Sequence, residues 1–149
     1  MVLAVDFDGT IVENRYPAIG REIPFAIETL ILIQKELKHT LILWTVREGS
    51  ELQDAIDFCK ERGLTFYAAN RNHPEPIPPG EARKLNADMF IDDRNFGGVP
   101  DWGFIYQALK RYPDECLTPE IFEKTTDSSG FKRVKSSQKS GIIGKLFGK

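Results

Sequence analysis

Four short apolar runs, each closing on or beside a polar or acidic residue and separated by helix-length segments, constrain this chain most. Leu3 to Phe7 encloses Asp6 and precedes Asp8, Leu41 to Trp44 precedes Thr45, Thr65 to Ala68 precedes Asn70, and Asp88 to Ile91 precedes Asp92 and Asp93. Continuous apolar runs of this length read as strands buried on both faces, the signature of a parallel sheet. Between the first two, Ile27, Leu30, Ile31, Gln34 and Leu37 recur at helical spacing behind Pro24, a residue suited to the first turn of a helix. Between the next two, a polar start at Gly49-Ser50-Glu51 leads to Leu52, Ala55, Ile56 and Cys59 on one face, with Gly63 as a C-terminal cap. A last helical face runs through Ile105, Ala108 and Leu109. Strands alternating with helices make βαβ units, so the expected fold is α/β: a Rossmann-like three-layer sandwich around a small parallel sheet.

In such sheets ligands bind beyond the carboxyl ends of the strands, near a topological switch point. Asp6, Asp8, Thr45, Asp92 and Asp93 all fall at carboxyl ends of the expected strands. At period two, Asp6 and Asp8 share a direction while Phe7 points away. Carboxylates side by side repel unless a cation or proton separates them. Mg2+ suits the arrangement, being a hard cation held by one or two carboxylates together with phosphate oxygens. Gly9 permits a tight turn and lets backbone N–H groups approach an anion. Asp92 adds a further carboxylate, and Asp93 can hold a metal-bound water.

These residues resemble the haloacid dehalogenase (HAD) superfamily of aspartate-nucleophile phosphotransferases. Motif one matches Asp6-Phe7-Asp8-Gly9-Thr10-Ile11-Val12 and motif two Leu41-Ile42-Leu43-Trp44-Thr45; a basic motif three falls at Arg83-Lys84 and motif four at Ile91-Asp92-Asp93. The resemblance implies that Asp6 attacks phosphorus and ligates the metal. It implies that Asp8 is the acid and base, with its backbone carbonyl on the metal, and that Thr45 hydrogen-bonds the transferred phosphoryl group. Lys84 would neutralise Asp6 and the phosphate, favoured over Arg83 because a compact ammonium on a flexible stem suits that contact. Asp6, Asp8, Asp92 and Asp93 form the expected metal set. Gly9, Thr10, Arg47 and Asn70 are the expected substrate contacts, Arg47 and the loop Asn70-Arg71-Asn72-His73 lying on the same rim. An aspartate at position 8 is linked by the resemblance to phosphatases rather than carbon–halogen hydrolysis. Trp44 and Trp102 read as packing residues.

Only 34 residues separate Thr10 from Thr45, and 37 separate Thr45 from Arg83. Neither gap holds a cap domain, so a capless member is expected, with Glu13 to Ile23 as the short helical turn and flap beside the site. An open site serves a large phosphorylated substrate, or a small one covered by a neighbouring subunit of a homo-oligomer. The expected activity is a magnesium-dependent phosphomonoester hydrolase working through an aspartyl-phosphate. Its rivals are a phospho-ligand-binding or regulatory module with little turnover and, within enzymes, a nucleotidase or nucleic-acid-end phosphatase.

Charge divides the chain into an expected catalytic domain at 1–127 and a basic Ser/Lys/Gly-rich tail at 128–149. The tail carries six basic residues and no acid, leaving 14 basic and 22 acidic residues in the body. An acidic body argues against nucleic acid as partner. In the tail, Ile142, Ile143, Leu146 and Phe147 with flanking lysines suit a weak anionic-membrane contact, the other reading being a solubilising end. Two scattered cysteines, Cys59 and Cys116, make neither a disulfide framework nor a metal site. With no basic leader and no membrane-length apolar run, the expectation is a cytoplasmic protein.

Overall fold

The computed structural model describes residues 1–74 and 84–112. Its elements are β1 (Val2–Val5), α1 (Ala26–Glu36), β2 (Thr40–Leu43), α2 (Gly49–Glu61), β3 (Ala68–Ala69), β4 (Met89–Ile91) and α3 (Trp102–Arg111). The strands form one parallel sheet in the order β3-β2-β1-β4, with Val5 paired to Leu43 on one side and to Ile91 on the other. The α/β parallel-sheet architecture read from the sequence is therefore present. The chain steps outward from β1 to β2 to β3, then returns to the far side of β1 for β4. That reversal puts the topological switch between β1 and β4.

Period-two alternation sorts the strand side chains onto two faces. Leu3, Val5, Leu41, Leu43 and Ile91 join Ile27, Leu30 and Ile33 of α1, Ala55 and Cys59 of α2, and Ile105 and Leu109 of α3 in one buried cluster. Each such fully buried aliphatic side chain contributes roughly 1.5–3 kcal/mol relative to exposure. Ala4 and Ile42 face the other way, against Leu85 and the half-buried Val2, Trp44, Ala87 and Phe90. The β1-α1-β2 and β2-α2-β3 crossovers advance in the same direction. A right-handed connection then places both helices on the same face, and α3 joins them there. Among the described residues the three-layer sandwich thus reduces to a sheet with helices on one face.

Three local expectations shift. Pro24 precedes α1 instead of opening it: Ala26 N–H donates to the Ile23 carbonyl (3.1 Å), and Phe25 sits at φ 67°, ψ 0°. This is a type II turn with proline at its second position and an exposed phenylalanine where glycine is usual. The third strand begins later than Thr65, because the Thr65 carbonyl accepts from the Gln34 side chain (2.7 Å) and sheet bonding starts only with Tyr67 N–H to Leu41 O (2.8 Å). Gly63 does cap α2. At φ 83° it donates to Lys60 O while Leu64 N–H reaches Cys59 O, a Schellman motif.

The described residues all belong to the compact unit Met1–Leu117. No helix among them is long and apolar enough to cross a membrane. Cys59 is a buried free thiol whose burial pushes its pKa up to about 12, a packing residue without nucleophilic character. Cys116, Arg83 and the tail at 128–149 lie outside the described residues.

Candidate functional site at the switch between β1 and β4

Beyond the ends of β1 and β4 the backbone brings three carboxylates together. Asp6 N–H donates to the Ile91 carbonyl (2.9 Å), locking the residue after β1 to the end of β4. Carboxylate oxygens of Asp6, Asp92 and Asp93 lie within 4.8 Å of one another. Thr10, fully buried, ties the two loops together: its hydroxyl donates to Asp6 Oδ2 (3.0 Å) and accepts from Asp93 N–H (3.0 Å). Gly9 holds φ 92°, and a Cβ there would overlap the Asp93 carboxylate, so the motif-one glycine admits Asp93 to the cluster.

The cluster fits a hard divalent cation on one specific observation. Asp93 Oδ1 is buried with no hydrogen-bond partner among the described residues, and a buried carboxylate oxygen without donor or cation is costly. Asp6, Asp92 and Asp93 are the residues that would hold the ion, an all-oxygen set suited to Mg2+. Burial pushes the Asp6 carboxyl up to about 6; hydrogen bonds from the Phe7 backbone and Thr10 oppose this, and the Asp92 and Asp93 charges add to it.

A stability prediction follows for the metal-free protein. With a folded pKa near 6 against an unfolded value near 3.8, the native state binds more protons between those limits, so stability falls as pH rises through that window. Asp6→Asn removes this penalty. The variant is expected to be more stable than the wild type above pH 6, by on the order of 1–2 kcal/mol after allowance for the carboxylate's partial exposure. The difference should vanish below about pH 4. Urea denaturation in chelator at both pH values measures it; a variant less stable than the wild type at pH 7 contradicts the assignment.

Asp8 stands apart. Its carboxylate faces Arg47, which donates from Nε to Oδ2 and from Nη2 to Oδ1, both at 2.7 Å. Arg47 is 0% exposed. It also donates to the carbonyls of Pro17 (2.8 Å) and Ala18 (2.9 Å), and its guanidinium lies over the rings of Phe7 and Tyr16. The Asp8 hydrogen bonds raise the Arg47 pKa still further above its ordinary value. The Pro17 and Ala18 carbonyls belong to the expected flap, which is present as a hairpin-like loop. Val12 pairs antiparallel with Glu22, and Glu13 N–H bonds Arg21 O at 2.8 Å.

Several expected assignments change with these contacts. Arg47 is not a rim residue for substrate but a buried strut between Asp8 and the flap. Asp8 turns its carboxylate to Arg47 and away from the acidic cluster, which leaves the expected metal contact to its backbone carbonyl. Thr10 spends its hydroxyl on Asp6 and Asp93, away from any ligand. Asn70, at φ 55°, accepts from Thr45 N–H (2.8 Å) and donates to the Arg47 carbonyl (3.1 Å), so it braces the loop after β2 and does not face outward. Lys84 is exposed, makes no ion pair or hydrogen bond among the described residues, and does not line the site. Trp102 and Trp44 both pack as expected, Trp44 against the Ala4 and Ile42 cluster, where it also helps wall the site.

The site itself is a cavity of about 220 Å³ lined by Asp6, Asp8, Trp44, Thr45, Val46, Asp92 and Arg94. Thr45 Oγ1 accepts from Arg47 N–H (3.2 Å), which leaves its own hydroxyl hydrogen to donate elsewhere. Arg94 went unremarked in the sequence, where the only signal was its place directly after Asp92-Asp93. A larger cavity of about 560 Å³, between Val2, Ile42, Tyr67 and His73, opens against the sheet face that carries no helix among the described residues. It holds no convergent charged groups, so the smaller cavity is the better candidate.

No protein-family model matches the chain, and neither does any curated protein. A solved structure does: that of a conserved protein coded by a locus from Bacteroides thetaiotaomicron, similar over 74% of this chain and 90% of that one, at 65% sequence identity and a TM-score of 0.71. Identity at that level over nearly the whole of the relative shows common descent, and the chain belongs to the family of that conserved Bacteroides protein.

Proposed function

We propose that the protein is a capless, HAD-type phosphomonoester hydrolase that uses Mg2+ and passes through an aspartyl-phosphate on Asp6. The observation that carries this reading is the Asp6, Asp92, Asp93 cluster at the switch point, with a buried, unpartnered Asp93 oxygen and Asp8 and Thr45 on the wall of the adjoining cavity. A bound Mg2+ would neutralise negative charge on the phosphoryl oxygens and on the three carboxylates. Asp6 supplies an oxygen that attacks phosphorus as the ester P–O bond breaks and the leaving oxygen takes a proton from Asp8, which regains one from the water of the second step. Water then attacks phosphorus, the bond from Asp6 to phosphorus breaks, and inorganic phosphate departs. The free Thr45 hydroxyl hydrogen donates to the phosphoryl group. Arg47 occupies only one lone pair on each Asp8 oxygen, so Asp8 keeps capacity to accept the proton of the attacking water.

Phosphate release from a generic aryl phosphate, with and without Mg2+, tests the reading, and magnesium-dependent release is the expected result. One observation favours a second reading, a phospho-ligand-binding module with little turnover: both Asp8 oxygens are held by a buried arginine, which ties that carboxylate to the flap loop. Mg2+-dependent binding of phosphate without turnover of any ester would select that reading.

A further inference from the structure

We propose that Arg94, and not a motif-three lysine, is the residue that grips the phosphoryl group. The proposal rests on the phosphoryl-transfer site described above and names the cation within it. Three carboxylates, a divalent cation and a phosphomonoester dianion still leave a negative excess in one small cavity, so a further positive group is needed to hold the anion. Two candidates among the described residues drop out on geometry, and Arg83 lies outside those residues. Arg47 is completely buried and its guanidinium is committed to Asp8, Pro17 O and Ala18 O. Lys84, exposed like Arg94, lies off the cavity wall.

Arg94 lines the cavity beside Asp6, Asp8 and Thr45. Its backbone N–H donates to Asp92 Oδ1 (2.8 Å), so the carboxylate of the metal cluster itself fixes where the arginine starts. Its guanidinium makes no ion pair or hydrogen bond among the described residues, despite three nearby carboxylates. Arg94 is exposed, and an uncommitted planar fork on a residue that lines an acidic, oxygen-lined cavity suits bidentate hold of a phosphoryl group. Trp44 and Val46, which also line the cavity, offer no charge to compete for the anion.

The test measures the affinity of inorganic phosphate in saturating Mg2+ by calorimetry, for the wild type, Arg94→Ala, Arg94→Lys and Lys84→Ala. Turnover of an aryl phosphate by the same proteins and by Asp6→Asn is followed in parallel. Arg94→Ala should weaken phosphate by about ten- to a hundredfold, the size of a lost charge-assisted pair. Arg94→Lys should recover only part, since one ammonium cannot reproduce the fork. Lys84→Ala should show the smaller loss. Phosphate affinity within twofold of the wild type for Arg94→Ala, a larger loss for Lys84→Ala, or no phosphate binding to the wild type would overturn the proposal. Turnover that survives in Asp6→Asn defeats the aspartyl-phosphate reading instead, and leaves an Arg94-dependent phosphate affinity standing.

Discussion

Replacing Arg47 with methionine lowers the stability of the fold by about 3–5 kcal/mol, the usual result of stripping one partner from a buried ion pair. The change leaves the Asp8 carboxylate, 6% exposed, without either of its 2.7 Å donors. It also frees the Pro17 and Ala18 carbonyls and removes a cation from between the Phe7 and Tyr16 rings. Against a total stability of roughly 5–15 kcal/mol for a domain, this is a large fraction. Removing both charges, with Arg47→Met and Asp8→Leu together, should cost less than the two single losses summed, because no unpaired charge remains. Urea midpoints for the four proteins of that cycle measure the coupling. A single-variant loss under about 1 kcal/mol would mean that Asp8 finds solvent when Arg47 goes.

Asp6→Asn should cut phosphate-ester turnover by at least about a thousandfold while leaving the fold intact. The replacement keeps the shape of the side chain and an acceptor for the Thr10 hydroxyl (3.0 Å in the wild type), so the loops between β1 and β4 stay joined. What disappears is the anionic oxygen that forms the bond to phosphorus and one of the three charges of the cation cluster. Because the same variant is expected to gain stability at neutral pH without metal, loss of activity cannot be blamed on unfolding. Turnover within tenfold of the wild type would rule out Asp6 as nucleophile.

The elements around the site were legible because burial and chemistry coincide there. Leu3 to Val5 and Leu41 to Leu43 are buried, Met89 to Ile91 is half-buried and ends on the buried Ile91, and each runs into a functional side chain within two residues. Hence Asp6, Thr45 and Asp92-Asp93 could be assigned to one edge of the sheet from spacing alone. The type of contact each loop residue makes was not legible. Arg47 follows Thr45 by two positions, which says that it is near the site, but only the folded flap shows that Asp8 and two carbonyls close around it. A buried Asp8 needing a cationic partner was the one available hint. Asn70 was misread for the same reason, its amide serving backbone groups of a loop far away in sequence. The late start of β3 lay beyond local pattern as well, since Gln34, on α1, is what takes the Thr65 carbonyl out of the sheet.

The Thr10 hydroxyl has a kinetic meaning beyond geometry. It is the acceptor for the Asp93 amide and the donor to Asp6, while the Asp6 amide itself bonds Ile91. Exchange of the Asp93 amide hydrogen with solvent therefore requires the β1 and β4 loops to part. That opening draws on the central strands and not on the flap, so its free energy belongs with the most protected part of the protein. One threonine hydroxyl thereby makes opening of the carboxylate site and parting of the central strands a single event.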